Sequence, residues 1–224
     1  MDDATRDDIR QRFLKLPTAV VSDVFDELGV LPPALTTDVR RVTNPVARLA
    51  GWAYTITGEF APSEGADRLK LEIIDGLPAG SVAVWNGTNA RGICLFGDLI
   101  AATMQKRGCV GAYVEGGIRD VEVISETGFP VFARYVTPVQ SIGRWRVTSH
   151  DTPLSLPGVF GNLVTVAPGD FILGDEDGVM VIPAGLVVEV LERTEEIVRM
   201  ETEARDRSAS GMSATEMLDE FGHV

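Results

Sequence analysis

Three charged residues at a fixed spacing are the part of the sequence best suited to chemistry. Asp98 lies in the stretch Phe-Gly-Asp-Leu-Ile, and twenty residues separate it from the pair Arg119 and Asp120. Carboxylates are preferred ligands of hard divalent cations, and a guanidinium binds anions. If the fold brings these residues together, they could bind an anion and a divalent cation side by side.

The intervening sequence predicts how the three residues meet. Residues 99–107 carry apolar side chains at helical spacing and are followed by Gly108, which indicates a helix. Residues 110–114 are typical of a short buried strand, the pair Gly116 and Gly117 predicts a turn, and a second helix is expected from about residue 119 to near residue 128. In a right-handed parallel β-α-β unit both helix starts lie on one edge of the sheet, where open α/β sheets bind ligands.

Each of these residues also has a structural interpretation. Asp98 could be a helix N-cap, which stabilises a helix by about 1 kcal/mol. Arg119 could be a surface residue, and Asp120 could be an acidic residue favoured by the helix dipole. However, Gly97 would let a ligand approach closely, and the amides of residues 98–100 would form a cradle for a carboxylate. Because the three residues are expected on one edge, a functional site is the better interpretation.

Composition excludes several classes of function. The chain has 224 residues, 45% of them hydrophobic, and a formal net charge of −13, so nucleic-acid binding is not expected. No apolar run approaches the roughly 20 residues that cross a bilayer, so no membrane association is expected. The acidic start differs from a signal peptide and predicts a cytoplasmic protein. Cys94 and Cys109 lack metal-binding spacing and are expected to be reduced, buried thiols.

The remaining patterns predict alternating elements and then a β-rich half. Thr18 is expected to cap the second helix, and the acidic turn 174–178 to be a solvated hairpin turn. The predicted elements are helices at 6–16 and 18–29, a strand at 49–57, a helix at 68–75, strands at 81–85 and 130–136, a β-rich region at 137–183 with a hairpin at 171–182, a long helix at 184–206 and a short helix from Ser213.

Other catalytic or metal-binding patterns have little support. His150 and His223 have no paired spacing, and His150 is expected in a loop. None of Lys15, Lys70 and Lys106 is recognisably desolvated, as a Schiff-base lysine must be. For carbonyl chemistry, a metal ion is therefore the better hypothesis.

With these motifs the chain resembles the RraA-like family. This family contains the class II 4-hydroxy-4-methyl-2-oxoglutarate / 4-carboxy-4-hydroxy-2-oxoadipate aldolases and the regulator of ribonuclease E activity. Its aldolase signature is an Asp, twenty residues and then Arg-Asp, which Asp98, Arg119 and Asp120 match without a gap. Further similar segments are residues 97–99, 107–108, 117–121, 128–133, 168–170 and 175–179.

The resemblance implies a particular fold and assembly. The expected fold is α/β: an RraA-like layered α/β/α core with a central mixed sheet, a β-rich second half, and N- and C-terminal helical extensions. A single domain is expected over residues 1–224, with N-terminal helices at 1–30, the core at 45–183 and the C-terminal extension at 184–224. The resemblance also implies a homotrimer or homohexamer with its sites between subunits.

The resemblance also implies roles for the site residues. Asp120 would bind a divalent cation, Mg²⁺ or Mn²⁺, directly, and Asp98 would act through metal-bound water. Arg119 would hold the 2-oxo group of the substrate. The carboxylate of a pyruvate unit would lie on the backbone of Gly97, Asp98, Leu99 and Ile100.

The expected activity is cleavage of 4-hydroxy-2-oxo acids to pyruvate through a metal-stabilised enolate, with oxaloacetate decarboxylation as a side activity. A glutamate of a neighbouring subunit is expected to contribute, with Glu201 as the best match and Glu203 as the competitor. Asn86, Asn89 and Arg91 are candidates for contact with the distal part of the substrate. Two alternatives stay open: a protein-binding regulator of ribonuclease activity, and a lyase or hydratase acting on another 2-oxo or sugar acid.

Overall fold

A mixed β-sheet with packed helices forms the structure, a computed structural model that describes residues 1–44, 46–62, 64–87 and 90–209, together with residues 213 and 216. The helices are α1 (Asp3–Phe13), α2 (Thr18–Glu27), α3 (Arg68–Asp75), α4 (Asp98–Lys106), α5 (Val121–Glu126) and α6 (Val187–Ala209). The strands are β1 (Arg40–Arg41), β2 (Leu49–Phe60), β3 (Ser81–Asn86), β4 (Cys94–Phe96), β5 (Gly111–Ile118), β6 (Val131–Val136), β7 (Trp145–His150), β8 (Leu154–Pro157), β9 (Leu163–Val166), β10 (Phe171–Gly174) and β11 (Val179–Ile182).

The sheet combines a parallel centre with antiparallel edges. Its order is β1-β6-β5-β3-β2-β10-β11, with β4 paired to β5 and β7 paired to β2. The pairs β2–β3, β3–β5, β4–β5 and β5–β6 are parallel. Because α4 follows β4 and α5 follows β5, the starts of both helices lie at the carboxyl ends of neighbouring parallel strands. The α/β class, the mixed central sheet and the shared edge are thus confirmed.

Hydrophobic packing fixes the helices on the sheet. Ile74 of α3, Met104 of α4 and Ile124 of α5 join one buried cluster around Trp85. A second cluster places α1, α2 and α6 against β10 and β11, and includes a stacked pair of Phe13 and Phe171 with ring centroids 4.6 Å apart. Residues of β8 and β9 belong to a third cluster. It also contains those residues of β3 and β5 that alternate along each strand with the members of the first cluster. Burial of this apolar surface is the main favourable contribution to folding.

The start of α2 differs from the prediction. Thr18 is the first helical residue and does not cap α2, because the N-cap position is Pro17. The Asp175 carboxylate takes that role: it accepts hydrogen bonds from the Thr18 backbone N–H at 2.9 Å and from Thr18 Oγ1 at 2.7 Å. Asp175 is buried, so the turn at 174–178 joins β10 and β11 as predicted but is not simply solvated.

The predicted turn at Gly116 and Gly117 is wrong. Both residues lie inside β5, where β5 pairs with β4 and β6. A Cβ on Gly117 would lie 2.3 Å from the Tyr135 ring and 2.7 Å from the Ile93 carbonyl oxygen. The glycine is therefore required by close packing of neighbouring strands, and the chain stays extended up to Ile118.

Several smaller predictions have clear outcomes. Cys94 and Cys109 are free and buried, as expected, and burial raises the pKa of both thiols. His150 ends β7 instead of lying in a loop, and its Nδ1 is 2.7 Å from Tyr54 Oη. His223 lies outside the described residues.

The ends of the terminal helices are shifted. Helix α1 begins three residues before the predicted start because the Asp2 side chain caps it, accepting from the Thr5 N–H at 2.8 Å. Helix α6 covers Val187–Ala209, against a prediction of 184–206. Further on, the Ser213 N–H donates to Glu216 Oε2 at 2.8 Å, which is the expected capping contact. In the part of the chain that the structure describes, no helix has both the length and the apolarity to cross a membrane.

Candidate active site

The structure brings the predicted charged residues together where β4 and β5 end. Asp98 is the first residue of α4, and Arg119 and Asp120 connect β5 to α5. The Arg119 backbone N–H donates to the Phe96 carbonyl oxygen at 3.2 Å, which ties the two strand ends together. The juxtaposition predicted from the spacing is therefore present in a single protomer.

Asp120 is at the centre of this arrangement. Its Oδ2 accepts one hydrogen bond from the Asp98 backbone N–H and another from Arg119 Nε, each at 3.2 Å. The Asp120 carboxylate thus lies at the N-terminus of α4, where the partial positive charge of the helix stabilises an anion. Contrary to expectation, the Asp98 amide is occupied within the protein. The amides of Leu99 and Ile100 also precede the first intrahelical hydrogen bond, from the Ala101 N–H to the Gly97 oxygen at 3.0 Å.

The backbone of Asp120 is strained. Its φ of 58° and ψ of 35° lie in the left-handed region, which costs a residue with a Cβ roughly 1–2 kcal/mol. The residue occupies the N-cap position of α5, yet its side chain makes no capping hydrogen bond to that helix. The carboxylate is instead directed to α4 and Arg119. Strain of this kind at a charged residue supports a functional role for Asp120.

Gly97 is required by the site itself. A Cβ at this position would lie 2.2 Å from Asp120 Oδ2 and 3.0 Å from both Cγ and Nε of Arg119. The sequence predicted close approach of a ligand at Gly97, but the closest groups are these two side chains of the protein. Any larger residue would displace the carboxylate or the guanidinium.

The site is open to solvent in the protomer. The side chains of Arg119 and Asp120 are 40% and 34% exposed, and Asp98 is half-buried. Leu99, the next residue on α4, is also 78% exposed. A ligand can therefore reach the α4 start without a change in the fold.

The donor set fits a hard divalent cation. Among the described residues, Asp120 Oδ1 accepts no hydrogen bond, so this oxygen is available to a cation. Within that same part of the chain no group of three or more His, Cys, Asp or Glu side chains is suited to hold a metal. Mg²⁺ is commonly held by one or two carboxylates and completed by water and substrate oxygens, so a single direct carboxylate ligand suffices.

The predicted glutamates lie on α6. Glu201 is paired with Arg205 at 2.7 Å and Glu203 with Arg207 at 3.1 Å, each one helical turn further along. Helix α6 packs against α1 and α2 of the same protomer. A contribution of Glu201 or Glu203 to the site of a neighbouring subunit stays a prediction.

Two of the three candidates for distal substrate contact lie in the part of the chain that the structure describes. Asn86 ends β3, and Arg91 is exposed beside a cavity that Glu115 and Arg134 also line. Asn89 lies outside the described residues.

One residue near the site was missed. Lys70 of α3 donates hydrogen bonds to the Leu95 carbonyl oxygen and, at 3.5 Å, to Ser141 Oγ, and its Nζ lies 5.6 Å from the centroid of the Trp85 ring. Burial lowers the pKa of Lys70 to about 8, against an opposing effect of Asp67. Lys70 is therefore a partly desolvated lysine that the sequence analysis did not single out. A signal was present, since Lys70 lies three and four residues before the buried Ile73 and Ile74 and so shares their helix face.

The fold and site define an α/β protein with an acid–arginine–acid cluster at the carboxyl edge of its parallel strands. A family model described as RraA-like, Aldolase/RraA, matches residues 18–181, which is more than half of the chain. The chain belongs to the RraA-like family.

Two curated relatives are similar to the chain over most of its length. A putative 4-hydroxy-4-methyl-2-oxoglutarate aldolase of Halalkalibacterium halodurans is 30% identical over 206 residues, which cover 91% of this chain and 89% of the relative. Protein DlpA of Legionella pneumophila is 29% identical over 220 residues, covering 97% of this chain. The chain spans only about a third of the length of DlpA, 34%.

Solved structures share the fold. One, described as belonging to novel cellulases from microbes associated with the gut ecosystem, is 30% identical and superposes with a TM-score of 0.81, covering 91% of this chain and 88% of the other. The RNA-processing inhibitor RraA of Thermus thermophilus is 28% identical with a TM-score of 0.57, covering 75% and 92% of the two chains.

Proposed function

We propose that this protein is a divalent-metal-dependent aldolase that cleaves 4-hydroxy-2-oxo acids to pyruvate. The observation that carries the proposal is the Asp120 carboxylate, held in a strained conformation between the Asp98 amide and the Arg119 guanidinium. The aldolase name of the Halalkalibacterium halodurans relative supports this reaction class.

The α4 start and Arg119 would bind the pyruvate part of the substrate. The amides of Leu99 and Ile100 precede the intrahelical hydrogen bonds and can donate to the substrate carboxylate, which the helix dipole also stabilises. The Arg119 guanidinium, 40% exposed, can then donate to the adjacent 2-oxo oxygen. Together these contacts would fix the C3–C4 bond relative to Asp98.

Cleavage needs an electron sink and a base. A cation held by Asp120 would supply Lewis-acid polarisation of the 2-oxo group when bound. Arg119 would stabilise the negative charge that develops on the 2-oxo oxygen as the C3–C4 bond breaks. The Asp98 carboxylate would orient a water molecule that takes the proton of the C4 hydroxyl. The C3–C4 electron pair would form pyruvate enolate, and protonation at C3 would give pyruvate.

Oxaloacetate decarboxylation follows from the same arrangement. Loss of CO₂ from oxaloacetate also leaves its electron pair on C3 and gives pyruvate enolate, so the same charge would be stabilised by Arg119. We infer that this activity accompanies aldol cleavage. In the assembled trimer or hexamer that we propose, Glu201 of an adjacent subunit would complete the site.

A regulator of RNA processing is the second candidate. It is favoured by the likeness to the Thermus thermophilus inhibitor, which is 28% identical. Such a role would use the outer surface of the protein and would not require Asp98, Arg119 and Asp120. Binding to a ribonuclease together with absence of metal-dependent pyruvate release would favour it.

The proposal is tested by pyruvate release in substituted proteins. Arg119→Ala and Asp120→Ala are expected to abolish release from 4-hydroxy-4-methyl-2-oxoglutarate and oxaloacetate in the presence of Mg²⁺. Arg146→Ala is the matched control, because Arg146 is an exposed arginine paired with Glu59 on β2, and it should leave turnover unchanged. Full activity of Asp120→Ala would contradict the assignment.

A further inference from the structure

A cavity of about 490 Å³ lies between α1 and the turn that precedes β3. One wall is a single face of α1, and the other is formed by Trp52 of β2 and residues 78–80. The lining residues on α1 are Asp3, Arg6, Asp7 and Arg10. A cavity of this volume is within the range of small-molecule sites, about 300–1,000 Å³.

The cavity is separate from the candidate active site. Residues 78–80 lead into the start of β3, whereas Asp98 and Arg119 follow the carboxyl ends of β4 and β5. Strands β3 and β5 are parallel, and the six residues of β3 span roughly 20 Å. The two sites therefore lie on opposite edges of the sheet, and a ligand in this cavity would not compete with the substrate.

Trp52 directs an unpaired donor towards the cavity. Its side chain is 6% exposed, and in the part of the chain that the structure describes its Nε1 has no hydrogen-bond acceptor. A Cβ on Gly80 would lie 4.0 Å from Trp52 Cδ1, the atom bonded to Nε1, so this edge of the indole faces the turn that lines the cavity. A buried indole N–H usually has an acceptor, which a ligand could supply here. Trp85 and Trp145 also have unpaired Nε1 atoms, so the N–H alone does not define a site.

Arg6 is a second donor without an acceptor. Its guanidinium carbon lies 4.4 Å from the centroid of the Trp52 ring. Among the described residues no carboxylate oxygen lies within 4 Å of the Arg6 guanidinium, and Asp7, the next residue, is paired with Arg10 at 3.2 Å. A guanidinium that stacks on an aromatic ring can still donate through its N–H edge to a carboxylate. Arg6 and the Trp52 N–H are thus two neighbouring donors suited to one carboxylate.

Asp3 adds the opposite charge to the same cavity. It is exposed and lies one helical turn before Arg6, on the same face of α1. Within the described residues no cationic nitrogen lies within 4 Å of its carboxylate. The two acidic and two basic residues of α1 that line the cavity cancel in formal charge. A ligand that carries both charges therefore fits these walls better than a simple anion.

We propose that this cavity binds a free α-amino acid with an aliphatic side chain. The ligand carboxylate accepts hydrogen bonds from Arg6 and from Trp52 Nε1, and its ammonium group donates to Asp3. Pro78 and Ala79 provide an apolar wall for the side chain. Because the ligand contacts both α1 and the sheet, it holds α1 in place.

The first test uses L-leucine and two analogues that each lack one charge. In calorimetry, L-leucine should bind saturably. 4-Methylpentanoate, which lacks the ammonium group, and 3-methylbutylamine, which lacks the carboxylate, should each bind at least about tenfold more weakly. Hydrogen exchange should show that L-leucine slows amide exchange in α1. Absence of saturable L-leucine binding, or equal affinity for 4-methylpentanoate, would overturn the proposal.

Substitutions locate the binding. Arg6→Gln, Asp3→Asn and Trp52→Phe should each lower the affinity for L-leucine by about tenfold, because each removes one charge-assisted hydrogen bond. Arg68→Gln and Asp8→Asn are the matched controls and should leave it unchanged, since Arg68 is 91% exposed on α3 and Asp8 is 65% exposed on α1. If Trp52→Phe fails to fold, the variants of Arg6 and Asp3 decide. Unchanged affinity in both of those variants would contradict the site.

A variant of the candidate active site separates this inference from the aldolase proposal. The α4 start and Arg119 could also bind the carboxylate of an amino acid. Arg119→Ala should therefore leave the affinity for L-leucine unchanged while it abolishes pyruvate release. Loss of L-leucine binding in Arg119→Ala would place the ligand at the active site and overturn the proposed cavity site. Failure of pyruvate release in the unsubstituted protein would contradict the aldolase proposal alone.

Discussion

The backbone N–H of Asp98 donates to Asp120 Oδ2 at 3.2 Å, so two acidic residues of the cluster are linked through a main-chain amide. Among the described residues, no hydrogen bond involves the Asp98 carboxylate itself. One residue can therefore support Asp120 through its backbone while its side chain acts on the substrate. This separation predicts that changes to the Asp98 side chain affect chemistry more than architecture.

Asp98→Asn tests that separation. It preserves the size of the side chain and the amide that binds Asp120, but it removes the negative charge that would orient the water molecule that takes the proton of the C4 hydroxyl. We expect kcat for pyruvate release to fall by about 10²- to 10³-fold, with little change in KM. Steady-state kinetics and a thermal melt measure both effects. A rise in KM at constant kcat would instead assign Asp98 to substrate binding.

Gly97→Ala should damage the site without unfolding the protein. The added Cβ would meet Asp120 Oδ2 at 2.2 Å, so the carboxylate must move by about 1 Å or more. Misplacement of that size costs about 100-fold in rate. Gly185→Ala is the matched control, since a Cβ there meets no atom within 4 Å, and its activity should be unchanged. Normal activity of Gly97→Ala would show that the observed position of Asp120 is not needed for turnover.

Lys70→Met should stabilise the protein near neutral pH. The folded-state pKa of Lys70 is about 8, below the ordinary 10.5, so the unfolded chain binds this proton more tightly. Removing the charge should raise the free energy of unfolding by about 1 kcal/mol at pH 7, after allowance for partial exposure and the lost hydrogen bonds.

The pH dependence identifies the cause of that gain. Below about pH 8 the full cost of the buried charge is present in the unsubstituted protein, and it diminishes as pH rises from about 8 towards 10.5. The difference between the two proteins in urea unfolding should therefore shrink between pH 7 and pH 9.5. A loss of stability in Lys70→Met at both pH values would mean that the hydrogen bonds of Nζ outweigh its desolvation.

Asp175→Asn should destabilise the fold while leaving the site intact. Asp175 is buried and accepts two hydrogen bonds from Thr18, which joins α2 to the turn between β10 and β11. An amide at this position cannot accept on both atoms, so we expect a loss of about 1–3 kcal/mol. Asp177→Asn, on the exposed part of the same turn, is the control and should change stability by less than about 0.5 kcal/mol. Equal effects of the two substitutions in chemical denaturation would contradict this role of Asp175.

The sequence predicts those features that depend on residues close together in the chain, such as the ends of a helix. Helix α3 was placed correctly at both ends because Asp67 caps it and Ile73 and Ile74 anchor one face. The approach of Asp98 to Arg119 and Asp120 followed from the alternation of strands and helices, which fixes the edge of the sheet on which the helices begin.

Features that depend on distant partners were not predictable in this way. Gly116 and Gly117 look like a turn until Tyr135 of β6 is placed against β5. The partner of Thr18 is Asp175, 157 residues further along the chain. The left-handed backbone of Asp120 depends on its tertiary contacts, which no sequence pattern specifies.

The most direct test of the central claim is pyruvate release from 4-hydroxy-4-methyl-2-oxoglutarate under control of the metal. The protein is treated with EDTA, assayed, and assayed again after Mg²⁺ or Mn²⁺ is restored, with Asp120→Asn in parallel. We expect release to disappear with EDTA and return with the metal in the unsubstituted protein, and to stay absent in Asp120→Asn. Release that persists in EDTA, or that Asp120→Asn retains in full, would contradict a metal-dependent aldolase centred on Asp120.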